Sequence, residues 1–155
     1  MIRLRKQTEE IVNKVFYLCG LMDRENRKDS ASSCFDVDSI LARVDNVLIG
    51  EELFKYSHLS INTLARKAGT NRTYLSRCFH IKKTSFVNYI NEYRLKYAIR
   101  VIGEPGNDKR GVAEISEMAG FPNPRSFAKC FVLKYGVNPS QYKREVLAKS
   151  TQHHS

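Results

Sequence analysis

A chain of 155 residues, 42% of them hydrophobic, can bury one ordinary core or two very small ones that share it. The absence of Trp, the scarcity of Gly and Pro and the lack of alternating β-rich runs favour an all-α fold. No stretch nears the roughly 20 apolar residues of a bilayer crossing, and the opening residues do not read as a cleaved signal. The net charge of +10 is unevenly spread: Met1 to His58 holds 9 Lys and Arg against 10 Asp and Glu, and Leu59 to Ser155 holds 17 against 6. A basic helical segment beside a neutral one suits a polyanion partner, nucleic acid first, with a merely soluble basic surface as the plainer reading.

From the N-terminus, Thr8 can cap a helix whose first turn carries Glu9 and Glu10 and which is apolar over more than half its circumference from Ile11 to Met22. The charged, Ser-rich run from Asp23 to Ser33 reads as a linker, so residues 1–35 form a connector and the domain proper spans 36–148. Asp38 is a candidate cap for a helix burying Ile40, Leu41, Val44, Val47 and Leu48, with Gly50 just past its end. Glu51 to His58 reads as a connection holding at most a turn of helix.

Ser60 caps a short helix, Ile61 to Ala68, with Leu59 and Leu64 placed as a hydrophobic staple. Gly69 and Thr70 turn the chain, and Asn71 caps a second helix, Arg72 to His80. Two short helices around a Gly turn make a helix-turn-helix pattern over about 59–80. A long helix follows over 85–102, with Thr84 at its start and Phe86, Tyr89, Ile90, Tyr93, Tyr97, Ala98, Val101 and Ile102 on its apolar face. Eighteen residues make a rod of roughly 27 Å. Beyond the polar loop Gly103 to Gly111 the same pattern returns over about 111–135. A last helix opens at Asn138 and Pro139 and runs to about Ala148, leaving 149–155 as a disordered tail.

The two patterns superimpose. With a shift of 51, Leu64, Ala65, Ala68 and Gly69 fall on Ile115, Ser116, Ala119 and Gly120. With one added residue, Leu75, Ser76, Arg77, Cys78 and Phe79 fall on Phe127, Ala128, Lys129, Cys130 and Phe131, and Tyr89 falls on Tyr142 after one more. The fold expected is therefore all-α, two helix-turn-helix subdomains joined by a long linker helix.

The segment GVAEISEMAGFPNPRSFAKCFVLKYGVNPSQYKRE, Gly111 to Glu145, resembles the signature of the AraC/XylS family of bacterial transcription regulators. Gly120 and Phe121 at the turn, Phe127 with Phe131, Gly136, Pro139, and Tyr142 before Lys143 carry the likeness. Arg94 and Ala98, and LSINTLARKAGTNRTYLSRCF from Leu59 to Phe79, carry it further, over about Ile40 to Ala148. The resemblance implies a cytoplasmic DNA-binding transcription regulator that puts two recognition helices into successive major grooves of double-stranded DNA, with RNA polymerase as a second partner. Residues 1–35 have no counterpart in that domain. They are too few to fold as a sensor, so the chain is either a small stand-alone regulator or the C-terminal part of a longer one, with residues 8–22 as a dimerising or signal-carrying helix.

On this reading the face opposite Leu75, Cys78 and Phe79 supplies base contacts. Arg77 suits guanine, Ser76 either base and Thr73 a thymine methyl, with Arg72 and His80 beside them. Arg77 bound only to phosphate is the plainer alternative. In the second unit Arg125 and Lys129 suit base edges, while Ala128 and Val132 can only pack on methyls. Val132 and Leu133 stand where the family often has basic residues, and the HIKKTS connection, His80 to Ser85, is one residue shorter than usual. Phosphate contacts are expected from Lys82 and Lys83 and from the helix starts at Asn71, Thr84, Asn123 and Asn138. The four cysteines, Cys19, Cys34, Cys78 and Cys130, form no CxxC pair, so neither zinc nor another cofactor is expected, and with two of them on apolar helix faces and no signal peptide they suit a reducing cytoplasm. Cys78 near His80 has no acid close in sequence, so no catalytic role is expected. The competing class is a protein-interaction module whose basic face meets an acidic partner.

Overall fold

The computed structural model describes residues 36–151, and the expectations for residues 1–35 and for 152–155 lie outside them. Among the described residues there are seven α-helices, one 3-10 turn and no strand. Helix α1 is Val37–Gly50, the 3-10 turn is Leu53–Lys55, α2 is Ile61–Lys67, α3 is Arg72–Ile81, α4 is Phe86–Gly103, α5 is Val112–Met118, α6 is Pro124–Tyr135 and α7 is Pro139–Thr151.

Several boundaries move by a residue or two from those expected, each for a local reason. Asp38 lies inside the first turn of α1, where its charge suits the helix dipole, rather than capping it, and Gly50 belongs to the last turn. The cap of α4 is Ser85, whose Oγ accepts from the Asn88 amide at 3.2 Å, and not Thr84. Thr84 instead sends its amide back to the Phe79 carbonyl at 2.9 Å, closing the end of α3. Helix α7 continues past Ala148 to Thr151.

Helices α1, α2 and α3 pack on one another, α5, α6 and α7 form a second group, and α4 runs between them. Val44, Leu48, Leu64, Leu75, Cys78 and Phe79 fill the first core. Leu95, Ala98, Val101 and Ile102 of α4 close the second core over Ile115, Ala119, Phe121, Phe127 and Phe131. The aromatic residues of α4 are not the fully buried set the periodicity suggests. Phe86, Tyr89, Tyr93 and Tyr97 are half-buried, while Ile90, Arg94 and Leu95 join Ala98, Val101 and Ile102 in the interior. The tyrosines sit at the rim because their hydroxyls need a polar partner. Tyr89 and Tyr93 both donate to the Asp45 carboxylate of α1, the latter at 2.6 Å.

The 3-10 turn, within a stretch that reads as a mere connection, is central to the packing. Leu53 and Phe54 are buried, and the Phe54 ring lies 6.2 Å from Tyr93 and 5.7 Å from Tyr97. Arg94 lies against the turn, only 7% exposed, with Nε donating to the Phe54 carbonyl at 2.7 Å and Nη2 to the Tyr56 carbonyl at 2.9 Å. From the other side comes Gly120, at φ +82°, so close that a Cβ there would stand 2.5 Å from both the Phe54 and Lys55 carbonyl oxygens.

The repeat extends to backbone conformation. With a shift of 53, Lys83 corresponds to Gly136, and both are left-handed, at φ +53° and +75°. A side chain in that region costs roughly 1–2 kcal/mol against part of which the lost freedom of glycine must be set. Lys83→Gly is therefore expected to raise stability by about 0.5–1 kcal/mol, read as a higher denaturant midpoint at unchanged slope. A second expectation concerns alkaline pH. Burial, with Tyr142 and Glu92 nearby, pushes the Tyr135 phenol up to about 12 from an ordinary 10. The folded protein holds that proton longer than the unfolded chain does, so the associated stability is complete below pH 10 and lost as pH rises through about 12. Tyr135→Phe, which keeps the ring contacts at 4.7 Å to Phe131 and 6.4 Å to Tyr142, is expected to flatten that alkaline decline in a melting-temperature series.

Candidate nucleic-acid interface

The two helix-turn-helix units are built by the same local devices. In each, an asparagine caps the second helix, the Asn71 Oδ1 accepting from Tyr74 at 2.9 Å and the Asn123 Oδ1 from Ser126 at 2.8 Å. Each turn has a left-handed glycine, Gly69 at φ +64° and Gly120 at +82°. In each, the residue after that glycine bonds back into the first helix, Thr70 to the Ala65 carbonyl at 2.9 Å and Phe121 to that of Ser116 at 3.1 Å. The apolar pairs Leu64 and Ile115, Leu75 and Phe127, and Phe79 and Phe131 are all buried. Even the aromatic following each unit repeats its contact, Tyr89 against Phe79 at 5.1 Å and Tyr142 against Phe131 at 5.5 Å.

Burying those stripes turns the opposite faces outward. On α3, Arg72, Thr73, Ser76, Arg77 and His80 are all exposed, in agreement with the periodicity, and Tyr74, which the sequence reading passed over, is 48% exposed beside them. On α6, Arg125 and Lys129 are exposed and Ala128 is half-buried. The exposed strip continues into Val132 at 43% and Leu133 at 78%, so the second face is much more apolar than the first.

The electrostatics favour an anion. Neither α3 nor α6 has an acidic residue in its first turn, and both carry an arginine there, Arg72 and Arg125, at the positive end of the helix dipole. Arginine there works against the free helix and in favour of a bound phosphate. Among the described residues, Arg72, Lys83, Arg125 and Lys129 form no ion pair, whereas Lys67 and Lys134, on the flanks, pair with Glu51 and Glu92.

The expected phosphate contacts fall into distinct groups. Asn71, Asn123 and Asn138 each spend Oδ1 on a helix cap, Asn138 on Gln141 at 2.8 Å, which leaves the Nδ2 amide as the donor group. Lys83 is exposed on the left-handed turn. Lys82 pairs with Asp38 of α1 at 2.7 Å, a partner 44 residues earlier that no local pattern announces. Thr84 is half-buried at the end of the turn and, as noted, is not a helix cap. Of the cysteines, Cys78 is fully buried, and Cys130 accepts from Asn91 Nδ2 at 3.4 Å while burial pushes its thiol up, which keeps it protonated.

A family model described as a helix-turn-helix domain matches residues 64–145, more than half of the chain. The Msm operon regulatory protein of Streptococcus mutans is 34% identical over 92 residues, covering 58% of this chain and 32% of its own length. A helix-turn-helix-type transcriptional regulator of Pseudoalteromonas carrageenovora is 27% identical over 123 residues, 79% of this chain and 70% of that one. Histidine kinase P4 of Formosa agariphila matches at 32% over 98 residues, 61% of this chain but only 7% of the kinase. The chain thus spans about a third of the streptococcal regulator and a small part of the kinase. Among solved structures, a DNA-binding transcriptional dual regulator of Escherichia coli K-12 shares the fold with a TM-score of 0.60 at 16% identity, covering 78% of this chain and 99% of that one. With two equivalent units in place and the family model running across both, the chain belongs to the AraC-type helix-turn-helix family of DNA-binding transcription regulators.

Proposed function

We propose that the chain binds promoter DNA by inserting α3 and α6 into successive major grooves on one face of the duplex, with α4 setting their separation. The observation that carries this reading is the pair of equivalent units, each with its buried stripe turned inward and its basic residues turned out, joined by one 18-residue helix. A rod of roughly 27 Å plus the width of the flanking helices suits the ~34 Å repeat of the duplex. On α3, Arg77 forks onto guanine, Thr73 and Ser76 read neighbouring bases, and Arg72 and His80 flank them. On α6, Arg125 and Lys129 reach base edges while Ala128 and Val132 lie against thymine methyls, so this unit depends more on DNA shape. Lys82, Lys83, Thr84 and the helix starts at Asn71, Asn123 and Asn138 hold the phosphates.

The more specific parts of the reading concern partners and setting. RNA polymerase is a fitting second partner for a protein of this family, and pairing of two copies through residues 8–22 would bring four reading helices to one promoter. Binding to bacterial promoter DNA would put its site of action in the cytoplasm.

Titration of a selected promoter duplex at rising salt tests the proposal. Affinity is expected to fall about 10³–10⁵-fold between 50 and 200 mM salt, as for about 6–10 neutralised phosphates. Salt-insensitive binding, or none across a promoter library, favours the protein-interaction reading instead. Two variants separate reading from anchoring. Arg77→Ala is expected to cost about 1–3 kcal/mol and to relax preference at one base pair, whereas Lys83→Ala weakens all sequences alike and lowers the salt slope by about 1. Equal losses on every sequence from both variants would reduce Arg77 to a phosphate contact.

A further inference from the structure

We infer that Arg94 is a positioning residue for DNA reading: through the 3-10 turn it locks the second unit to the first, so that the two recognition helices fit only one half-site spacing. The inference rests on the two-groove reading above. Arg94 projects from the middle of α4 and touches no reading face. Its guanidinium, 7% exposed, bridges the carbonyls of Phe54 at 2.7 Å and Tyr56 at 2.9 Å, with Nη1 donating to Asn91 Oδ1 at 3.4 Å. The turn it grips packs on α1, which belongs to the first unit. The ring of Phe121, in the turn of the second unit, lies 5.7 Å from the same guanidinium. Gly120, next to it, closes on the Phe54 and Lys55 carbonyls from the opposite side, where even a methyl group would stand only 2.5 Å away.

One short run of backbone, Phe54 to Tyr56, is thus held between the linker helix and the second turn. Helix α4 alone fixes the distance between the units, but a single helix leaves each unit free to rock about its own contacts. The clamp on the turn removes that freedom. Two readers on a rigid link have a high effective concentration for each other at one spacing and almost none at others, while a loosened link spreads that advantage over several spacings. The spacing dependence of affinity therefore reports on the clamp, and a purely structural role for Arg94 would leave it unchanged.

The test uses the whole chain and duplexes selected by it from random sequence, resynthesised with the two half-sites shifted one base pair at a time and with the α3 half-site alone. Each base pair moves one half-site by about 3.4 Å and turns it by about 34°. Wild type is expected to lose about tenfold or more on a single shift, and Arg94→Lys, whose single ammonium cannot bridge both carbonyls, to lose about tenfold at the optimum while varying by less than about threefold across the series. Its binding to the α3 half-site alone should be unchanged. Asn91→Ala, at a half-buried position, removes an acceptor of the same guanidinium, so it should flatten the profile in the same direction and is the deciding variant should Arg94→Lys lose its helical circular dichroism. A sharp spacing optimum that survives in a folded variant, with affinity lowered equally on every duplex including the half-site, would overturn the inference while leaving the two-groove reading intact. No spacing optimum in the wild type would overturn that reading itself.

Discussion

The fold depends on a buried cation satisfied without a carboxylate. Desolvating a guanidinium costs several kcal/mol unless its donors are met, and here two backbone carbonyls and an asparagine oxygen meet them while an aromatic ring lies nearby. Burial lowers the affinity of Arg94 for its proton, but from so high a starting point that the group stays charged. The bonds are charge-assisted, worth roughly twice a neutral pair, and they end on main-chain atoms whose positions the 3-10 turn fixes. Removing the guanidinium takes that donor from the Phe54 carbonyl, while the Tyr56 carbonyl keeps the Leu59 amide at 3.1 Å. Both cores feel the loss, because Phe54 faces Tyr93 and Tyr97 on α4, while Gly120 rests on the same turn.

The helical framework was legible because its signals are local. Ser60 and Asn71 cap where short polar side chains before apolar runs suggest, and the core stripe of each unit leaves the opposite face outward by geometry alone. What escaped notice is non-local or too short to have a period. Three residues of 3-10 helix have no hydrophobic repeat, so Leu53 and Phe54 read as connection. Arg94 was recognisable as part of the family likeness, but a charge in a helix is ordinarily taken to face water. Asp45 gathers two tyrosine hydroxyls from 44 and 48 residues further on, and Lys82 finds Asp38 across a similar interval. Thr84 and Ser85 are equally good caps on paper, and the left-handed turn at Lys83 decides between them. Of the candidate site, the exposure of the base-facing residues followed from periodicity, but the pairing state of each cation did not.

The two halves share a construction and differ in what holds their turns. In the first unit a side chain does it: Arg43 of α1 donates to the Gly69 carbonyl at 2.9 Å, and a Cβ on that glycine would meet only the tip of the same arginine at 3.2 Å. In the second the turn glycine lies against main-chain carbonyls that cannot swing aside. A larger residue at the first turn would meet only a movable guanidinium and cost mainly the left-handed backbone, whereas at the second it would cost that and press on fixed carbonyls as well. The second recognition helix is further tied to α4 by Lys134 on Glu92 at 3.2 Å and by Asn91 on Cys130. The unit with the more apolar outer face is thus the one whose turn rests on main chain.

The added residue between Phe131 and Gly136 has a consequence for how such proteins change. Helix α3 has 10 residues and α6 has 12, and the one-residue slip falls after Phe79 in the first and its counterpart Phe131 in the second. One residue turns a helix by about 100°, so beyond that point side chains in matching order point in different directions. The two recognition helices are for this reason not interchangeable cassettes. Grafting the α6 sequence into the α3 position would carry the reading residues across in register but would swing its final turn, with Leu133 and Lys134, out of step with the exit towards the following helix. Sequence preference can evolve by substitution at the first two turns of either helix, whereas duplication of one half to replace the other would have to rebuild its last turn.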